Sequence, residues 1–177
     1  IDEAEKNDCK GIVFCLNEPT VSLPSFLSVA KLAKEKGMFV GCSSNGYFSE
    51  HTLNLLLPVL DMINIGLKGK DEKYLRACGI INDSVVIQNI KKLVQAGVHV
   101  ETALMHAKGQ ENDLITQAKE VVSISEKIPI QIMRCMAFGD LGQEFEPSIP
   151  ESELLCDKIR EYASHVYLFN SPGTAYI

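Results

Sequence analysis

The stretch GIVFCLNEPTVSLPSFLSVAKLAKEKG, residues 11–37, contains the pattern of one complete strand–turn–helix unit. Its apolar start, residues 11–16, predicts a buried β-strand, and residues 21–36 place apolar side chains at the spacing of one helix face. Gly37 is suited to end that helix. The connecting segment, Asn17-Glu18-Pro19-Thr20, allows two interpretations: a capped strand-to-helix turn, or a ligand site at the end of a strand.

The same alternation of strand and helix continues through the rest of the chain. Further strands are predicted over MFVGC (38–42), DMINIGL (61–67), VHVETALM (98–105), IPIQIMRCM (128–136) and HVYLF (165–169), with amphipathic helices between them. Helices that join successive strands in this way form right-handed βαβ units, so the fold class is α/β with parallel strands. A curved barrel and an open doubly wound sheet both remain possible at this point.

Composition limits the class of protein. The 177 residues, of which 46% are hydrophobic and 23% charged, predict one soluble domain spanning residues 1–177. The net charge of −6, with scattered lysines and arginines, argues against nucleic-acid binding. No apolar run approaches the roughly 20 residues of a membrane span, which argues against a membrane partner.

The chain start and the cysteines add two expectations. The polar start IDEAEKNDCK does not resemble a secretory signal, and the missing initiator Met predicts that the sequence begins inside a longer protein. The six cysteines contain no C-x-x-C pair. Their spacing favours buried free thiols in a cytoplasmic protein over disulfides or metal ligands.

The predicted strand ends carry the polar side chains that a ligand site needs. Glu18, beside Asn17, is placed to accept hydrogen bonds from an ammonium or an amide, or else to cap the following helix. Ser44 and Asn45, in the segment SSNG, suit a ribose or a carboxylate, and the same segment is also typical of a plain turn. Lys68 follows the buried strand INIGL and is placed to meet an anion, although an exposed lysine is the ordinary case.

Other chemistry is poorly supported by the sequence. His106 ends a predicted strand with no partner visible in the sequence, so a catalytic role has little to support it. The chain has no Walker-type loop, no G-x-G-x-x-G and no G-x-S-x-G elbow. We therefore assign no catalytic or metal-ligating residue within this sequence.

Taken in order, the segments NEPT, AKLAKEKG, SSNGY, LLPVLDMINIGLKG, NIKKLVQAGVHVET and KGQEND show a family resemblance. From about Gly11 to Phe138 the chain resembles the radical S-adenosylmethionine (SAM) proteins of the pyruvate formate-lyase activating enzyme type. It is most similar to activating-enzyme homologues that carry NEP where other members carry a G-G-E motif.

The resemblance implies a fold and a chemistry. The family fold is a partial (β/α)6 TIM-like barrel, in which a C-x-x-x-C-x-x-C loop after the first strand binds a [4Fe–4S] cluster. Reductive cleavage of SAM at that cluster yields a 5′-deoxyadenosyl radical, which abstracts a hydrogen atom. The loop is absent from this sequence, so we expect a fragment that lacks the first strand and the cluster loop, with the cluster ligands outside it.

The resemblance also implies roles for individual residues. Asn17 and Glu18 match the motif that receives the SAM amino group, and Ser44 and Asn45 match a motif that contacts SAM. Lys68 matches a lysine that lies near the SAM carboxylate.

Three motifs depart from the family pattern. The D-T-N-G, D-L-K and P-F-H motifs of activating enzymes are replaced here by Ser43-Ser44-Asn45-Gly46, Gly66-Leu67-Lys68 and Ala137-Phe138-Gly139. Loss of the Asp and His residues puts in doubt the monovalent cation site of those enzymes, and with it pyruvate formate-lyase itself as the partner.

Two functions follow. The first is a radical SAM enzyme core, acting on a glycyl-radical enzyme, another protein or a small molecule. The alternative is a non-catalytic barrel module that binds a small ligand or a protein partner.

Overall fold

The computed structural model describes residues 1–70, 75–76, 79, 81, 83–137 and 142–176. Its strands are β1 (Gly11–Phe14), β2 (Phe39–Ser44), β3 (Met62–Leu67), β4 (His99–His106), β5 (Ile130–Arg134) and β6 (Val166–Phe169). Its helices are α1 (Asp2–Lys6), α2 (Leu23–Glu35), α3 (Glu50–Leu56), α4 (Ser84–Gln95), α5 (Glu111–Ile124) and α6 (Ile149–Arg160), with 3-10 turns at Pro19–Ser22 and Gln143–Phe145. Cys78 and two residues of the third divergent motif, Phe138 and Gly139, lie outside the described residues. None of the helices in the described ranges has the length and apolar character needed to cross a membrane.

The six strands form one parallel sheet in the order β1-β2-β3-β4-β5-β6. This consecutive order distinguishes the two architectures left open by the sequence. A doubly wound sheet reverses its strand order at a switch point, whereas a barrel adds each strand beside the previous one. The α/β fold is therefore a partial barrel, as the resemblance implied.

Burial alternates along the strands and defines the two faces of the sheet. In β3, for example, Ile63, Ile65 and Leu67 are buried in the core, whereas Asn64 and Gly66 are half-buried. The buried set packs against the apolar faces of the helices and forms the core cluster of the described residues. The half-buried set lines the concave face, and this face carries the cavity described below.

The predicted element boundaries are wrong at some ends. The strand predicted over residues 11–16 stops at Phe14, because Leu16 adopts φ 75°, a left-handed conformation that cannot continue a strand. The short helix α1 was not predicted at all. Gly37 follows α2 with φ 72°, which confirms its predicted role in ending that helix, and Gly97 follows α4 in the same conformation, with φ 83°.

Candidate functional site

A cavity of about 420 Å³ lies at the carboxyl ends of β1, β2 and β3 and extends onto the concave face. All five residues singled out from the sequence line it: Asn17, Glu18, Ser44, Asn45 and Lys68. The structure therefore brings together, in one cavity, side chains that are as many as 51 positions apart (68 − 17) in the sequence.

Glu18 is held across the ends of two neighbouring strands. Its Oε2 accepts a hydrogen bond of 2.8 Å from the backbone N–H of Asn45. Its Oε1 accepts bonds of 2.8 Å from the Ser44 hydroxyl and 3.1 Å from the Thr20 hydroxyl. All three donors are neutral, so they fix the half-buried carboxylate in position without neutralising its negative charge.

Glu18 also caps the 3-10 turn that follows it. The N–H of Thr20 lies 3.5 Å from its Oε1, and buried Pro19 occupies the start of that turn. The two interpretations of the NEPT segment are thus compatible, because one carboxylate both caps the turn and faces the cavity.

The SSNG segment closes into a tight turn at the cavity rim. The Ser44 hydroxyl accepts a bond of 3.0 Å from the N–H of Gly46, and Asn45 Oδ1 accepts one of 2.7 Å from the N–H of Tyr47. Gly46 adopts φ 69°, and a Cβ there would lie 2.9 Å from side-chain carbons of both Ile65 and Val86. The segment therefore forms the predicted turn and also lines the cavity.

Lys68 supplies a positive charge to the same cavity. A Cβ built on Gly66 would lie 3.4 Å from Lys68 Nζ, so the ammonium lies close over the backbone of that glycine. In the described part of the chain, neither Lys68 nor Glu18 forms an ion pair. Among the residues that the structure describes, the cavity therefore presents a carboxylate and an ammonium that have no ion-pair partner.

Cys42 lies behind the site as a neutral thiol. Burial, together with the nearby Glu18 carboxylate, raises the pKa of Cys42 to about 12. At neutral pH this side chain adds no second negative charge beside Glu18.

Sequence reasoning missed the polar side chains on the cavity floor. Asn64 Nδ2 donates to Gln131 Oε1 at 3.1 Å, and Gln131 Nε2 donates to Glu101 Oε2 at 2.7 Å. Because a carboxylate only accepts, Glu101 fixes which way the Gln131 amide points, and Gln131 in turn fixes Asn64. The available signal was a single polar residue inside each of the apolar runs MINIGL and IPIQIM, at a concave-face position.

His106 is not part of this cavity. It is fully buried on the helix side of β4, with Nδ1 2.9 Å from Ser152 Oγ and Nε2 3.4 Å from Glu111 Oε1. The sequence did not reveal these two partners, which lie on neighbouring helices: Ser152 on α6 and Glu111 on α5. Burial lowers the pKa of His106, against the opposing effect of Glu111.

Sequence comparison gives the family. A sequence model of the radical SAM superfamily matches residues 1–118. An uncharacterized protein of Methanocaldococcus jannaschii is 32% identical over 179 residues, covering 98% of this chain and 53% of that protein. The chain thus spans about half the length of this curated relative. It belongs to the radical SAM superfamily, which confirms the resemblance stated from the motifs.

Solved structures show the same fold. A domain of pyruvate-formate lyase-activating enzyme from Bacteroides vulgatus superposes with a TM-score of 0.70 at 15% identity, covering 89% of this chain and 98% of that one. Streptococcus suis SuiB bound to S-adenosylmethionine superposes with a TM-score of 0.73 at 12% identity, covering 94% of this chain and 41% of that one. SuiB bound to precursor peptide SuiA superposes with a TM-score of 0.66 at 12% identity, covering 91% of this chain and 37% of that one. At these identities the similarity establishes the partial-barrel architecture.

Proposed function

We propose that this chain is the SAM-binding core of a radical SAM enzyme. One observation carries the proposal: Glu18 and Lys68 face one cavity with opposite charges that the described residues leave unpaired. The methionyl part of SAM carries an ammonium and a carboxylate on one carbon. Glu18 would bind the ammonium and Lys68 the carboxylate, each through a charge-assisted hydrogen bond.

The remaining three residues support this arrangement in different ways. Ser44 and the backbone of Asn45 act on SAM chiefly by holding Glu18, because their donors already bond to its carboxylate. The Asn45 side chain uses its oxygen for the N–H of Tyr47 and keeps its amide N–H groups for the ligand. Asn17 is exposed at the rim beside Glu18, where its amide can add a second contact to the amino group.

The radical chemistry belongs to the cofactors. With a reduced [4Fe–4S] cluster, SAM supplies a 5′-deoxyadenosyl radical for hydrogen-atom abstraction. No group of three or more His, Cys, Asp and Glu side chains in the described ranges is arranged to hold a metal. Because the sequence contains no C-x-x-x-C-x-x-C loop, we propose that the cluster ligands lie outside these 177 residues, and that this chain binds and orients SAM.

The concave face supplies the space for the radical's target. Below the charged rim, the cavity is lined by the neutral side chains of Asn64, Gln131, Met105 and Met133. SuiB, which shares the fold, has been solved with a precursor peptide. We propose a peptide or protein as the target, with a glycyl-radical enzyme as the specific candidate.

Buried free thiols such as Cys42 and Cys156 support a cytoplasmic location.

Anaerobic reconstitution of the full-length protein tests the proposal. We expect about four iron and four sulfide ions per chain, the content of one cubane cluster. Addition of dithionite and SAM should then release 5′-deoxyadenosine, and the same mixture without dithionite is the control. Protein that binds SAM but takes up no iron would overturn the catalytic function and favour the non-catalytic barrel module.

A further inference from the structure

Two buried side-chain amides lie behind the cavity, on consecutive helices. Asn89 on α4 is 4% exposed, and its Nδ2 donates to the backbone carbonyls of Gly46 and Phe48, both at 2.9 Å. Gln117 on α5 is 0% exposed, and its Nε2 donates to the carbonyl of Gly69 at 3.3 Å. Each amide thus holds the backbone of a loop that leaves the carboxyl end of a strand.

The contacts fix the orientation of both amides. Asn89 Nδ2 faces two carbonyl oxygens, and Gln117 Nε2 faces the Gly69 carbonyl and, at 3.4 Å, Asp83 Oδ2. Since all four partners only accept, the amide nitrogen must point toward them in each case. Gln117 Oε1 has no hydrogen-bond partner in the described structure, so burying this oxygen lowers the free energy of unfolding. The hydrogen bonds of Nε2 must offset that loss.

The two loops carry the two charged halves of the site. Gly46 follows Asn45, whose N–H holds Glu18, and Gly69 directly follows Lys68. Both glycines adopt left-handed conformations, with φ 69° and 79°, so each loop turns sharply at the residue that the amide holds. A shift of either carbonyl would therefore be passed to the neighbouring ligand-facing residue.

A partly exposed ion-pair cluster anchors the second loop further. Lys70 Nζ lies 2.6 Å from Asp83 Oδ2 and 2.6 Å from Glu120 Oε2. Burial opposes its charge, but the hydrogen bonds to the two carboxylates raise the pKa of Lys70 overall. The loop after Lys68 is thus tied to the start of α4 by Asp83 and to α5 by Gln117 and Glu120.

We propose that Asn89 and Gln117 are positioning residues for opposite ends of the methionyl group of SAM. Gln117 acts through Lys68 on the carboxylate, and Asn89 acts through Asn45 and Glu18 on the ammonium. This assignment rests on the proposed function, because it takes SAM as the ligand of the cavity.

Three ligands separate these roles in calorimetric titrations of the full-length protein. SAM has the ammonium and the carboxylate, decarboxylated SAM keeps the ammonium but not the carboxylate, and 5′-methylthioadenosine has neither; the first two also share the sulfonium charge. Gln117→Met, which keeps the side-chain length, should weaken SAM binding about tenfold and leave the affinity for decarboxylated SAM unchanged. Asn89→Leu should weaken SAM and decarboxylated SAM alike, by about tenfold, and spare 5′-methylthioadenosine.

The controls distinguish positioning from general damage. A loss of affinity for all three ligands, or an unchanged affinity for SAM, would overturn the inference. In a Lys68→Met background, Gln117→Met should have little further effect on SAM affinity, since both changes act on one contact. If Gln117→Met fails to fold, Lys70→Met loosens the same loop from a partly exposed position and should give the same selectivity.

The outcomes also separate this inference from the proposed function. Wild-type protein that does not bind SAM would overturn both. A second outcome would overturn the positioning role alone. In it the wild type binds SAM, the Lys68→Met variant loses selectivity for the carboxylate, and the Gln117→Met variant keeps that selectivity.

Discussion

Glu18 accepts a hydrogen bond of 2.8 Å from the backbone N–H of Asn45, so a side chain from the end of β1 is bonded to the main chain at the end of β2. A backbone donor cannot rotate away as a side chain can. The carboxylate is therefore oriented before any ligand arrives, and binding need not order it. This preorganisation supports the proposal that Glu18 binds an ammonium group.

The turn that supplies this donor depends on a glycine at position 46. We expect Gly46→Ala to lower the free energy of unfolding by about 2 kcal/mol, because the alanine would combine a left-handed φ with contacts too close to Ile65 and Val86. Urea denaturation measures the change. Gly37→Ala is the matched control: its φ is 72°, but nothing lies within 4 Å of the added carbon. Equal losses in the two variants would show that packing around Gly46 is unimportant.

The neutral state of Cys42 can be tested by alkylation. Because burial and Glu18 raise its pKa to about 12, almost no thiolate is present at mildly alkaline pH, and iodoacetamide should leave Cys42 unmodified. Exposed Cys15 should react in the same sample and serves as the internal control. Mass spectrometry of the peptides gives the extent of labelling at each of the two cysteines. Labelling of Cys42 at the rate of Cys15 in folded protein would contradict the described burial.

The buried His106 predicts a pH dependence of stability. Burial lowers its pKa in the folded state, while Glu111 and Glu151 oppose the shift. Below the ordinary histidine pKa of about 6.5, the unfolded chain binds a proton that the folded chain resists. As far as His106 determines it, the free energy of unfolding should thus be highest above that pH and should decline as the pH falls below it.

The matched variant for this test is His106→Gln, which cannot titrate and can still contact Ser152. Its unfolding free energy should depend less steeply on pH than that of the wild type between about pH 7 and 5. The other three histidines are present in both proteins, so they cancel. Parallel curves for the two proteins would contradict the assignment.

The sequence predicted the parallel α/β fold class and the charged rim for the same physical reason. Strand–helix alternation is a local pattern, and parallel strands bring their carboxyl ends to one edge, so residues next to those ends meet. Glu18 and Lys68 could therefore be placed in one site from the sequence.

The parts that were missed depend on packing between distant elements. Asn64 and Gln131 lie 67 positions apart and meet on the cavity floor only because the sheet curves. Asn89 and Gln117 share the helical spacing of the buried apolar residues around them, so periodicity alone places both on buried helix faces. Periodicity does not reveal the distant backbone carbonyls that these amides hold. The left-handed Leu16 that ends β1 early carries no sequence signal, because leucine rarely adopts this conformation.

The most direct measurement is calorimetric titration of SAM into the full-length protein and into its Glu18→Gln and Lys68→Met variants. Lys31→Met, at an exposed position on α2, is the control. We expect the wild type and the control to bind SAM equally, and each site variant to bind at least about tenfold more weakly, because each loses a charge-assisted hydrogen bond. Undiminished affinity in both site variants would show that the two unpaired charges do not bind SAM, and would contradict the account.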